Sequence, residues 1–565
     1  MRKMTSRAAL AALLFAGACA SLDVENPNNP DVARALASGD EVKAIAMSNM
    51  NNWYLSVTYL YPYLGMSVAC DCHAANFGNF GMRFSNLEPR DPYINSTSAG
   101  DDRLMTSDAW TDFYGVTGAA NDVLIAFKNG VKVFAGTGAA QVDETDKWKS
   151  LALFTQAAAM AQLAMEFDSA FVVDENFDAT AGPPSLERYD AVTTATMAKW
   201  DALLTHLGTR TDSYATDATI LPLTGGVTLT SANLARISRT MAAQTLRLTP
   251  RTQTELDAKP ASFWQQIFTY ANAGISGAGL TSFDVTVQGD FNQWYSYIAY
   301  YGAEVSWMRV DHRLINRMDA FGPNPPVHYR YRGTSDIMAP QNPSTNDQRL
   351  ADGGNTRDYK YQAGVIGDPA RGIFMQSAYS HNRYFGHSRS APTAARTAVP
   401  YLLAAENDLL IAEAEVRRTG GSFANAATLI NKTRVTRGGL PAMTAANTAA
   451  ELLAAIDHER DVELLTTNGF SYYYARSAPV GSPLNGTGAT PATPAGWGGG
   501  RLQVGTPRHY PLPARELEIL GKAIYTYGGV NKPDMYVVGE NGKEIGIRRA
   551  PRPPRIGELF FARAF

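Results

Sequence analysis

Apolar residues recur at helical spacing through two long parts of this 565-residue chain. Between Ser150 and Phe167, Leu151, Phe154, Ala158, Ala161 and Met165 fall on one face, which predicts an amphipathic helix. Similar runs predict helices over Ala191 to Leu207, Ser231 to Leu248 and Ser262 to Ile275. Ser231 is expected to cap its helix. Trp110, Phe113, Tyr114, Ala120 and Leu124 mark an earlier helix, behind an apolar stretch from Val42 to Tyr63. Helical spacing returns at Val399 to Arg418, where Leu402, Ala405, Leu409, Ala412 and Val416 share a face. Ala424 to Arg437 should pair with it across a Gly420-Gly421 turn, and Ala450 to Leu465 follows. Alanine-rich helices of this length suggest packed helical hairpins.

Elsewhere the period disappears. Residues 70 to 103 fill with Gly, Asn, Pro, Ser and Asp and read as a long loop or insertion. From Ser276 to about Ala398 the chain is rich in Tyr, Gly, Arg, Asp and Pro, which predicts irregular structure with short helices and strands. Residues 480 to 500 read as a flexible loop, and Met535 to Val538 as a short strand.

The first residues change the setting. Arg2, Lys3 and Arg7 precede a short apolar stretch and then Ala16, Gly17 and Ala18, the pattern of an export signal over 1–18. Cys19 follows the small residues and resembles the lipidated cysteine of a bacterial lipoprotein, although Ala16 stands where leucine is usual. The apolar stretch is well short of the ~20 residues of a spanning helix. Residues 19–30 then read as a lipidated tether. Composition places the rest among folded proteins, with 45% hydrophobic and 18% charged residues. A net charge of −3 gives no reason to expect a nucleic-acid partner.

Candidate chemistry is sparse. Cys70-Asp71-Cys72-His73 permits a disulfide after export, but cysteines one residue apart converge poorly. A Cys-Cys-His zinc site lacks a legible fourth ligand, so a structural or incidental role is favoured and no metal is expected. G-x-S-x-G, H-E-x-x-H and P-loop motifs are absent, and no cofactor is expected. Asp174 opens a stretch like a calcium loop, yet Ala179 and Ser185 occupy its turn-glycine and final-glutamate positions. Glu406 and Glu413 lie seven residues apart on one helix face. They could form an acid/base pair, but ion pairing with Arg434 and Arg437 of the neighbouring helix is favoured.

Aromatic residues in loop-like sequence are the better site candidates. Ring faces stack on the C–H faces of a sugar, and amide or charged groups bond its hydroxyls. One cluster is Asn76, Phe77, Asn79, Phe80 and Arg83. A second comprises Asn292, Gln293, Trp294, Tyr295, Tyr297, Tyr300, Tyr301 and Trp307, with Asp311, Arg313 and Arg317 close behind. Core packing is the competing reading for every ring.

Four segments carry a resemblance. They are LDVENPN at 22–28, YLLAAENDLLIAEAEVRRTGG through GLP at 401–441, IDHERDVELLTTNGFSYYYAR at 456–476 and GTPRHYPLPARELEIL at 505–520. In this order, behind Cys19, they resemble the SusD/RagB family of nutrient-capturing surface lipoproteins. Departures fall at Asn468-Gly469, where an acidic residue and glycine are usual, and at Tyr472 to Arg476, which lacks an expected acidic residue. The resemblance implies a mainly α fold of tetratricopeptide-like helical hairpins with a large irregular insert. It implies one domain over 31–565, with a scaffold over about 31–275 and 399–476, an insert over about 276–398 and C-terminal loops over 477–565. It also implies a non-enzymatic protein, lipid-anchored at the outer-membrane surface. Such a protein binds an oligosaccharide or peptide and delivers it to a SusC-like TonB-dependent transporter. The ligand-binding candidates are Phe77, Asn79, Phe80, Trp294, Tyr295 and Tyr297. Two rivals stand beside this reading: a lipid-anchored glycoside hydrolase or peptidase, and a helical-repeat surface adaptor that binds no small ligand.

Overall fold

The computed structural model describes residues 35–529, apart from 60, 62, 77–79, 88–89, 99–103, 215–226, 289–293, 319–346, 351–356, 363, 365, 369–374, 389–397, 479–501 and 503–504. The export signal, Cys19, the tether, the 480–500 loop and the 535–538 strand therefore lie outside the described residues.

Helices α1 (Gly39–Val57) and α2 (Tyr63–Ala69) lead into a short strand β1 (His73–Ala75). Then come α3 (Leu104–Lys128), α4 (Thr145–Glu166), α5 (Tyr189–Leu207), α6 (Ser231–Leu248) and α7 (Ala261–Ala271). Each of α3 to α7 packs on the next, and α1 covers α3 and α4. The irregular part holds β2 (Val285–Val287), α8 (Tyr297–Gly302), β3 (Met308–Val310), β4 (Tyr359–Tyr361) and β5 (Tyr379–His381). The chain returns through β6 (Val399–Leu402) to α9 (Ala404–Arg417), α10 (Phe423–Arg434), α11 (Ala449–Glu463) and α12 (Ser471–Arg476). Helix α9 packs on α7, which joins the two helical parts into one scaffold.

Local chemistry explains the boundaries. The side chains of Ser38, Ser422 and Thr448 accept the backbone N–H three residues on, and Glu451 completes a capping box with Thr448. The cap of α6 is Thr230 rather than Ser231, whose hydroxyl donates instead to Asp212 at 3.3 Å. The α9–α10 turn needs its glycines: Gly420 has φ of 69°, and a Cβ on Gly421 would strike the Glu415 carbonyl. Residues 399–402, expected at the start of a helix, form β6 and pair with β2. Pro400 and neighbouring Val399 suit an edge strand better than a helix interior.

Helix α4 is not the half-exposed helix its spacing predicts. Every residue from Ser150 to Glu166 is buried. Its small alanines let neighbouring helices close in, and its polar side chains are bonded inward. Gln156 donates to Asn121 and Glu175 at 2.7 Å, and Thr155 accepts from Asn49 at 3.0 Å.

The expected ion pairs are differently wired. Glu413 meets Arg460 at 2.7 Å and Arg417 at 3.2 Å, and also pairs with Arg247 of α6. Burial opposes its ionisation, but these guanidiniums outweigh burial and hold its carboxyl well below the usual range. Glu406 accepts instead from Asn468 at 2.7 Å and the Tyr474 hydroxyl at 3.0 Å. Thus residues at both departures from the family pattern bond one buried carboxylate. Arg434 donates to the Pro441 carbonyl at 2.8 Å, and Arg437 pairs with Glu463 at 2.8 Å. A second buried network ties the insert to α11: Arg349 binds Asp347 and Glu459 at 2.8 Å, and Glu463 at 3.2 Å.

Candidate ligand-binding site

Strands β1 and β3 bring the two aromatic segments together. His73 pairs with Val310, Ala74 with Arg309 and Ala75 with Met308. This antiparallel register places the chain leading to Phe80 beside Trp307. Phe80, Tyr297, Tyr301 and Trp307 are half-buried, as is Tyr59 after α1. Phe80 stacks on Trp307 at 5.8 Å and lies 5.6 Å from Tyr301. Tyr301 is 4.6 Å from Trp307 and parallel to Tyr297 at 6.4 Å, with planes 9° apart. Tyr59 meets Tyr297 edge-on at 5.2 Å. The result is a continuous, partly exposed aromatic surface drawn from residues nearly 250 positions apart in sequence.

The other expected residues divide. Trp294 and Tyr295 are only 1% and 3% exposed. Trp294 packs 5.5 Å from Tyr54 in the core, and Tyr295 backs the half-exposed Tyr297 at 4.4 Å, so both are interior rings. Phe77, Asn79, Asn292 and Gln293 lie outside the described residues, as do the side chains of Arg83 and Arg317. Asn76 is a buried clamp whose amide exchanges bonds with the Asp368 backbone at 2.8 and 3.1 Å. Tyr59 escaped the sequence reading because it continues an apolar helical run. Pro62 was the available signal, since it bars an unbroken helix from Val42 to Tyr63.

No family model matches the sequence, and no curated protein matches it. Solved structures do match its fold. A SusD superfamily protein from Parabacteroides distasonis aligns with TM-score 0.52 and 12% identity, over 77% of this chain and 88% of its own. A SusD-like protein from Bacteroides fragilis gives 0.51 and 12%, over 78% and 86%. A SusD-like carbohydrate binding protein from the same species gives 0.50 and 14%, also over 78% and 86%. This chain has the SusD-like fold.

In this SusD-like chain the aromatic surface rests on a rigid polar floor. Arg309 donates to the carbonyls of Ser377 at 2.8 Å and Gln362 at 3.2 Å, and to that of Gly364, which pins β3 to the insert. Burial pushes its guanidinium down to about 10. Asp311 and Arg313, expected as a polar rim or as ion pairs, are buried ion-pair partners. Arg313 also meets Asp71 at 2.8 Å, and Arg90 pairs with the same carboxylate. Asp71 lies between Cys70 and Cys72, which are joined as a disulfide despite their close spacing. Its φ of 56° turns the chain so that the cysteines flank it.

Strain collects in this region. Among the described residues, the non-glycine positions with positive φ are Asp71, Phe80, Trp294 and Thr466. Three lie in or immediately before the aromatic segments. The fourth, Thr466, approaches Gly302 so closely that a Cβ there would strike it. Such backbone states persist only where the surroundings over-determine them, and they gather at functional sites. Behind them, Ser67 bonds the His73 ring at 2.6 Å. Burial pushes the His73 imidazole down to about 4, against the pull of Asp311. Beside Tyr59, burial raises the Asp112 carboxyl to about 6, and burial, with Asp108 and Asp112 adding to it, pushes the Tyr59 hydroxyl up. Among the described residues, no group of three His, Cys, Asp or Glu could hold a metal ion. None of the described helices is long and apolar enough to cross a membrane.

Proposed function

We propose that this protein captures an oligosaccharide on the surface formed by Tyr59, Tyr297, Tyr301 and Trp307, with Phe80 packed beside them, without cutting it. In this reading Cys19 carries the lipid, residues 19–30 form the tether and the protein faces outward from the outer membrane. The bound glycan passes to a SusC-like TonB-dependent transporter. The observation that carries the reading is the half-buried aromatic surface itself. Neighbouring rings with exposed area suit the apolar faces of successive sugars, whereas a purely structural adaptor needs no such surface. The carbohydrate-binding description of one protein of like fold points the same way. Capture needs only modest affinity, because holding ligand beside a transporter raises its local concentration.

The test is a binding screen of the mature chain lacking Cys19 against glycans and peptides, with Trp307→Ala beside wild type. Saturable glycan binding that weakens in the variant, with ligand recovered intact, is expected. Shortened products would establish a hydrolase and direct attention to Asp108 and Asp112. Peptide binding alone would change the ligand class, and no binding would favour the adaptor.

A further inference from the structure

Phe80 packs against the half-exposed indole of Trp307. Its ring stacks on Trp307 at 5.8 Å with planes 27° apart. Tyr61 meets its edge at 5.5 Å and Tyr301 lies 5.6 Å away. Its backbone has φ of 56°, a region that bulky residues avoid, and Gly81 follows at 69°. The ring is therefore held on the indole by a backbone state that phenylalanine does not favour by itself.

We propose that Phe80 is a built-in competitor for Trp307: in the free protein its ring lies offset against the indole, and a glycan that stacks there binds by displacing it. This inference rests on the aromatic surface being the glycan site. A ligand that stacks on the part of the indole Phe80 overlaps must first replace the Phe80–Trp307 contact. Observed affinity is then lower than the other rings would permit, which keeps capture reversible and allows the ligand to be handed on.

Removing the ring should tighten binding, whereas removing an ordinary stacking contact weakens it. Phe80→Gly suits the positive φ, and Phe80→Asn tolerates it without adding a second flexible glycine. The probes are cello-oligosaccharide and malto-oligosaccharide ladders, measured by calorimetry on wild type, both Phe80 variants, Trp307→Ala and the two double variants. Thermal melts of each protein report folding. The expected result is roughly 2- to 12-fold tighter binding in both Phe80 variants, the range of one aromatic contact. That gain should vanish when Trp307 is also alanine. Weaker or unchanged binding in the Phe80 variants overturns the competitor, as does a gain that survives Trp307→Ala. If Trp307→Ala weakens binding while the Phe80 variants gain nothing, only the competitor fails. If no protein binds either ladder, the competitor fails together with the capture reading.

Discussion

The helical scaffold and the aromatic surface are built by different means. In the scaffold, stability is spread over long helices, and a buried charge such as Glu413 has several partners on different helices. At the surface, two short segments meet through a three-residue strand pair and are pinned by individual groups, among them Arg309 and Asp71. The scaffold buries rings such as Trp53, Trp148 and Trp200 fully, whereas the aromatic surface gathers five half-exposed ones. Trp294 and Trp307 stand only thirteen residues apart yet belong to these two regimes. Nearness in sequence is therefore a poor guide to which ring enters the core and which stays at the surface.

The sharpest way to separate the regimes is Trp294→Ala. It should lower unfolding free energy by about 3–5 kcal/mol in a urea melt, as expected for a fully buried aromatic ring. Trp307→Ala should remove much less, since its ring is half-exposed. A comparable loss, about 3–5 kcal/mol, is expected for Arg349→Ala, which leaves Asp347 and Glu459 buried without their shared guanidinium. This variant should loosen the insert more than the α4 core, as hydrogen exchange would show.

A smaller effect appears with pH. The neutral form of His73 is favoured in the fold, because burial lowers its imidazole from 6.5 to about 4. Between those values the unfolded chain binds more protons. The His73 contribution is therefore complete above pH 6.5 and is lost as pH falls toward 4. The expected loss is about 3 kcal/mol across that window. His73→Asn should flatten that part of the pH–stability curve. A small change is expected from Thr448→Ala, which removes the capping box of α11 and should lower stability by about 1 kcal/mol in the same melt.

Much of the scaffold was legible in the sequence. Helical spacing located α3 to α7 and α9 to α11, because long amphipathic or alanine-rich runs carry a strong periodic signal. What failed was local or long-range. The spacing within α4 revealed one face but not that neighbours cover the rest. Val399 to Leu402 continued an apolar run and concealed a strand that exists only by pairing with β2. Spacing marks Glu413 as an ion-pair residue and reaches Arg417 one turn on, but its partners Arg247 and Arg460 come from α6 and α11, beyond that reach. At the candidate site, the residue types singled out two aromatic segments that the fold brings together. Which rings stay exposed was decided by distant partners, such as Tyr54 under Trp294. The disulfide depended on a backbone turn at Asp71 that spacing alone cannot reveal.

The most direct measurement compares Trp307→Ala with Thr448→Ala, each assayed for thermal stability and for binding to the glycan found in the screen. The account expects a double dissociation. Trp307→Ala should melt close to wild type yet lose most of its binding, while Thr448→Ala should melt lower yet bind as wild type does. Wild-type affinity in a folded Trp307→Ala protein would contradict the claim that these rings form the capture site.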